Sequence, residues 1–482
     1  MSLTTMFMYF GIFAVVFTFL VDKVWKKRKS WLMTFLQSFI GIFFIFSGFV
    51  KVVDPLGTSY KLDDYFGEFE VHFPFLSSIL PFMEHYAVGL SMTMIVFEIV
   101  LGLTILIGYK PKLSAWLFLL LVLFFTLLTG FTYLTGHVPN DATFLEFSKW
   151  GPWTETNMKV TDCGCFGDFI KLKPFTTFMK DVFLIIPGLY FLFRSKKMHQ
   201  LMPGRIRGAV TWLSAIGLVI YGLSNFVWNI PQFDFRPFKP GVNIPERKIA
   251  EAKAEEEAPL SYLVKDKSTG KVSELSMEEY MKRYKEFPKE SFEINQKHGE
   301  PAIPTTKISY FEISDIDGND VTDEILENPN YSFMVIGYKI NAQTQPKQIM
   351  VADTSFVADT IVVGDSVQIL QRIGDISKHE KTVDDYIFDE DYILHYKNVI
   401  NKLYENAKAK NIETFLITAY SEPEKISDFK ATAGVEYPVY VADDILLKTI
   451  IRSNPGIVLL KNGVIINKWH FKQFPGFEKL GL

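Results

Sequence analysis

Apolar runs near the length of a bilayer crossing, with almost no charge, recur six times in the first half of the chain and nowhere in the second. They are Thr4–Val21, Trp31–Val50, Ala87–Tyr109, Leu113–Thr135, Phe175–Phe193 and Gly208–Trp228. A helix needs roughly 20 mostly apolar residues to cross the hydrocarbon core, so these runs predict six membrane spans. Thr4–Val21 has no basic start and no small-residue cleavage site, and the chain continues into Lys23, Lys26, Lys27, Arg28 and Lys29. That is the pattern of a retained span, not of a removed signal. Beyond Trp228 the periodicity changes. Asn229–Lys248 is extended by four prolines, and an Ala/Glu/Lys-rich stretch runs to Glu257. Leu260–Leu275 alternates about Ser268-Thr269-Gly270, which predicts a hairpin, and Ser276-x-x-Glu279 predicts a helix cap.

The last 178 residues alternate strand and helix patterns. Ser332–Ile340 and Thr414–Ala419 are buried-strand runs, Asp391–Lys408 has apolar residues at helical spacing, and Gly456–Leu460 with Val464–Trp469 predicts a hairpin across Lys461-Asn462-Gly463. The expected organisation is a membrane domain over residues 1–230, a linker with a short hairpin and helix over 231–304, and an α/β domain over 305–482.

Composition sharpens the division. Residues 1–230 hold 19 Lys/Arg and 14 Asp/Glu, a net of +5, and residues 231–482 hold 31 and 40, a net of −9. This excludes a single soluble domain and a disulfide-stapled scaffold, and the mild acidity argues against a nucleic-acid partner. The short loops 22–30, 110–112 and 194–207 carry twelve Lys/Arg, against six in the longer loops 51–84 and 137–174. By the positive-inside rule the N-terminus, both long loops and everything after Trp228 are expected outside the cytoplasm. An oxidising outer compartment points to the periplasmic side of a bacterial inner membrane.

Both cysteines lie in one such loop, in Asp162-Cys163-Gly164-Cys165-Phe166-Gly167-Asp168. An isolated pair outside the cytoplasm is a disulfide or a redox dithiol. Gly164 permits the turn that a Cys-x-Cys bridge needs, and Gly167 relaxes the next turn. So small a ring stabilises little, and its strain favours exchange. A structural clip and half of a metal site remain the other readings, the second lacking any His-x-x-His pair. Asp162 and Asp168 raise the thiol pKa, while Lys171, Lys173 and the start of the fifth span lower it. Glu98 stands inside an apolar span, where a carboxylate faces the bundle interior as a proton relay or as a hydrogen-bonded structural group. Gly102, one turn on, allows another helix to approach.

The stretch Cys163–Asp168, ahead of a Pro-initiated span opening with Lys180-Asp181, resembles the MauE/DoxX group of membrane proteins. So do Phe46-Ser47-Gly48-Phe49-Val50-Lys51, Asp54-Pro55-Leu56-Gly57 and Glu98, over roughly residues 30–195. The resemblance implies a four-helix core distantly similar to quinone-linked disulfide-forming enzymes, and a role in maturing exported proteins, named for methylamine utilisation. It implies catalytic Cys163 and Cys165, Glu98 as a proton acceptor, and a quinone as the possible electron acceptor. Nothing in the chain itself points to methylamine as a substrate.

Asn454-Pro455-Gly456-Ile457-Val458-Leu459-Leu460-Lys461-Asn462-Gly463 resembles the thioredoxin segment in which a cis-proline, here Pro455, precedes a hairpin. The expected fold is thus a six-span α-helical bundle followed by a thioredoxin-like α/β domain. That domain departs from the pattern where the chemistry should be: Asn341–Pro346 stands in place of Cys-x-x-Cys, and an insertion of roughly Lys347–Glu390 follows. Its implied job is binding. The expected partners are an exported protein substrate or membrane-complex subunits, together with the lipid bilayer. The rival reading is a membrane scaffold whose soluble domain docks a partner.

Overall fold

The computed structural model describes the chain apart from residues 1, 2, 161–163, 300, 364 and 365 and, within strands, the side chains of 297, 298, 354–375 and 377. It divides into two compact units, Met1–Lys239 and Pro240–Leu482.

Among the described residues of the first unit, six helices are long and apolar enough to cross a membrane: Leu3–Lys23, Trp31–Val53, Ala87–Ile107, Pro111–His137, Pro174–Lys197 and Gly204–Trp228. Each predicted run is found, within a few residues at its ends. In order, the helices are α1 (Leu3–Lys23), α2 (Trp31–Val53), α3 (Pro55–His72), α4 (Leu80–His85), α5 (Ala87–Ile107), α6 (Pro111–Leu134), α7 (Pro174–Arg194) and α8 (Gly204–Leu223). Helix α3 lies in a stretch expected only as a loop. Pro55 opens it, and the Asp54 carboxylate accepts from Gly57 N, supplying a partner for one of the amides a helix start leaves unmet. Its buried stripe of Leu56, Ser59, Leu62, Tyr65, Phe66 and His72 has helical spacing.

Helices α2 and α5 meet backbone to backbone. A Cβ on Gly102 would stand 2.8 Å from Gly41 O, and one on Gly41 would stand 2.8 Å from Leu106 Cβ. Only glycine fits at such a seam. Phe10, Phe43, Phe44, Phe118, Phe166 and Phe191 fill the core beside it.

In the second unit, α9 (Ile244–Glu256) precedes a sheet of β1 (Leu260–Asp266), β2 (Val272–Ser276) and β3 (Phe292–His298) in the order β2-β1-β3, all antiparallel. The predicted hairpin is β1–β2, and Ser276 and Glu279 form a full capping box on α10 (Met277–Arg283). Glu251 of α9 is buried and accepts from Thr306 N, Thr306 Oγ1, Ser309 Oγ and Arg247 Nε. Residues 240–244 run along a sheet edge, with Gly241 N donating to Ile465 O and Ile244 N to Gly463 O.

After the short α11 (Thr322–Leu326) come β4 (Tyr331–Gly337), β5 (Ala342–Val363), β6 (Ser366–Phe388), α12 (Glu390–His395), α13 (Asn401–Lys408), β7 (Glu413–Ala419), α14 (Pro423–Ala433), β8 (Val439–Ala442), α15 (Asp444–Ile450), β9 (Gly456–Lys461) and β10 (Val464–His470). The main sheet has the order β10-β9-β4-β7-β8. Strands β4, β7 and β8 are parallel, β9 is antiparallel to β4, and β10 to β9. Asn462 and Gly463 turn the β9–β10 hairpin at φ 48° and 69°, the conformation a two-residue turn demands. The insertion after β4 is an antiparallel ribbon of β5 and β6.

Candidate functional site: a buried charge network under Cys165

The site gathers at the ends of α2, α6 and α7 and in the middle of α5. Glu98 and Lys51 point into the bundle, with side chains 2% and 5% exposed, and Lys51 Nζ lies 2.6 Å from Glu98 Oε2. A second pair lies on α7, where Lys180 Nζ is 2.6 Å from Asp181 Oδ1. Thr129 of α6 donates to the other Asp181 oxygen at 3.1 Å. Aromatic faces surround both cations: Lys51 Nζ stands 5.2 Å from the Phe125 ring and Lys180 Nζ 5.8 Å from the Phe43 ring. Burying four charges is costly unless each is paired and hydrogen-bonded, and here each has a partner.

The cysteine loop folds back onto this network. Gly164 and Gly167 take φ of +59° and +52°, and Gly167 N donates to Gly164 O at 3.0 Å, so the turn runs through the two glycines that permit it. Phe166 is buried against Phe43 at 5.9 Å between ring centres. Ser47 Oγ donates to Cys165 O at 2.9 Å. These anchors place the Cys165 thiol over Lys180, whose Nζ is 3.8 Å from Sγ. Among the described residues Cys165 has no disulfide partner, and it lines a cleft with Gly164, Gly167, Ile170, Lys171, Leu172 and Thr177. Cys163 and Asp162 lie outside the described residues.

Burial pushes the Cys165 thiol above its usual pKa, the Lys180 ammonium pulls it back, and Asp181, Lys51 and Glu98 add smaller opposing effects. The largest charge effects on the Cys165 sulfur come from side chains of the bundle, distant in sequence. Glu98 acts on the cysteine through its charge, from the neighbouring pair with Lys51. Lys51, Thr129 and Ser47 were not singled out as site residues by sequence, although a lysine closing an otherwise uncharged span was a visible signal for Lys51. Gly102 meets α2 as expected. In the second unit the Asn454–Pro455 peptide is cis, and Asn454 Nδ2 donates to Lys339 O at 2.7 Å.

Residues 29–140 match the family model described as methylamine utilisation protein MauE. This similarity covers less than a quarter of the chain. The matched stretch runs from just before α2 to just past α6 and includes Ser47, Lys51, Glu98 and Thr129, while Cys165, Lys180 and Asp181 follow it. The glycine seam between α2 and α5 lies wholly within it. No curated protein and no solved structure matches the chain.

Proposed function

We propose that the membrane unit performs thiol–disulfide exchange at Cys163 and Cys165 during the maturation of exported proteins, on the outer face of a bacterial plasma membrane. The observation that carries this reading is the Lys180 ammonium, 3.8 Å from Cys165 Sγ and itself held by Asp181. A cation fixed beside a sulfur stabilises the thiolate that exchange requires. A substrate thiolate attacks the Cys163–Cys165 disulfide, forms a mixed disulfide and expels the second cysteine as a thiolate. The substrate's other thiol then resolves the mixed bond. The substrate leaves oxidised by two electrons, and the pair is left as two thiols carrying two protons.

The residues beneath the cysteine carry the donor and carboxylate types that a quinone would use, each now engaged with another. Lys51 and Lys180 are fixed donors among phenylalanine faces, suited to its two carbonyl oxygens, and Glu98 and Asp181 are carboxylates able to hold protons. When bound, such a group supplies the two-electron, two-proton sink that restores the disulfide.

The second unit supports a binding role. Its parallel β4–β7 pair and the antiparallel β9–β10 hairpin support a thioredoxin-like reading, and it has no cysteine. One observation favours the scaffold reading: burial raises the Cys165 thiol, which slows exchange at neutral pH. The deciding experiment alkylates the protein in native membranes after graded reduction and reads the mass shift. A pair that titrates at an oxidising potential, and a Cys163→Ser protein that traps a mixed disulfide, support exchange. A pair fixed in one state that traps nothing moves the assignment to the scaffold.

A further inference from the structure

The end of the membrane unit opposite the cysteine loop carries a second charged feature. Loops 22–30, 110–112 and 194–207 hold twelve Lys/Arg and a single carboxylate, Asp22. Asp22 is already engaged, with Arg28 Nε at 2.5 Å and Lys23 Nζ at 3.5 Å. The fold draws two of these loops together, since Lys29 Nζ donates to Lys196 O at 3.1 Å across 167 residues of sequence. Lys26, Lys27, Arg194, Lys196 and Lys197 are all exposed around this contact, and among the described residues none has a carboxylate within ion-pair distance. Like charges gathered this way repel one another unless an anion sits among them.

The surroundings identify the anion's class. Trp25 and Trp31 are 40% and 45% exposed beside the cluster, and the Arg28 guanidinium lies 4.3 Å over the Trp31 ring. Such half-exposed indoles sit at headgroup level. Along the adjoining helices, Phe19, Leu20, Leu189 and Phe193 expose apolar side chains. A soluble phosphate would use the cations and leave these apolar surfaces unused. A phospholipid uses both, its phosphate among the lysines and its acyl chains along α1 and α7.

We infer that the α1–α2 and α7–α8 loops together form a headgroup site for an anionic phospholipid. The site is independent of the cysteine chemistry, and neither depends on the other. The test delipidates the full-length protein in detergent and titrates it with equal amounts of phosphatidylglycerol and phosphatidylcholine of identical acyl chains, read by native mass spectrometry. The wild type is expected to prefer phosphatidylglycerol by at least about tenfold. The Lys26→Gln/Lys27→Gln/Lys196→Gln/Lys197→Gln protein should fall to about twofold or less, and the same four positions changed to Arg should restore the preference. A Lys110→Gln/Lys112→Gln protein, altered at the same end but in another loop, should keep it. Equal binding of both lipids by the wild type overturns the proposal, as does a preference that survives the fourfold change. Displacement of bound lipid by water-soluble glycerophosphoglycerol would reassign the site to a soluble phosphate and also overturn it.

Discussion

Lys51 and Glu98 face each other across the α2–α5 interface at 2.6 Å, both almost wholly shielded from solvent. Two charges held this way are strongly interdependent. Removing one leaves the other buried without its counter-charge, whereas replacing both with apolar side chains removes the desolvation cost together with the attraction.

Glu98→Ala should therefore destabilise the membrane unit by about 3–5 kcal/mol. The double change Lys51→Met/Glu98→Leu should recover most of that loss while abolishing any exchange activity. Unfolding in mixed micelles of the single and double variants measures the coupling, and additive losses would show that the pair does not act as one.

Lys180→Met should slow the alkylation of Cys165 and move its pH profile upward, because the cation that favours the thiolate is gone. Lys180→Arg keeps the charge and should keep most of the rate. A profile unchanged in both variants would mean that Lys180 does not act on the sulfur.

Acid should weaken the membrane unit through two histidines outside the spans. Burial holds His199 down to about 4, with its ring bonded to Leu106 O at 2.8 Å. Burial likewise lowers His72, whose Nδ1 accepts from Phe144 N. An unfolded histidine takes up its proton near 6.5, so below that pH the unfolded chain binds more protons than the folded one. Stability is fully present above pH 6.5 and falls as the pH drops toward 4. His199→Gln, which can still donate to Leu106 O, should flatten part of that slope in a pH series of thermal unfolding.

Glu251→Ala should loosen α9 from residues 305–311 in the second unit, since four donors lose their acceptor. A loss of about 2–3 kcal/mol is expected, with faster amide exchange at Thr306 and Ile308 as the local readout.

Much of this architecture was written in the period of apolar residues. The six spans were legible because bilayer length and scarcity of charge are both local properties. The β9–β10 hairpin was legible from Asn462-Gly463. Helix α3 was missed because Asp63, Asp64, Glu68 and Glu70 make its segment look like a polar loop, although its apolar stripe has helical spacing. Strand β8 is four residues long and too short to announce itself. Within the site, Glu98 and the cysteines stood out by type and place. Their connection did not, because Lys51, Thr129 and Lys180 come from helices whose contacts only the packed bundle reveals.

The glycines between α2 and α5 carry a consequence for anyone mapping this protein by random mutation. A methyl group added at Gly41 or Gly102 touches no charged atom, yet it pushes apart the two helices that hold Lys51 and Glu98. A genetic screen for lost activity would therefore score these positions as though they were active-site residues. The way to tell them apart is suppression: Leu106→Gly, which removes the Cβ that faces Gly41, should partly rescue a Gly41→Ala lesion and leave a Glu98 lesion untouched.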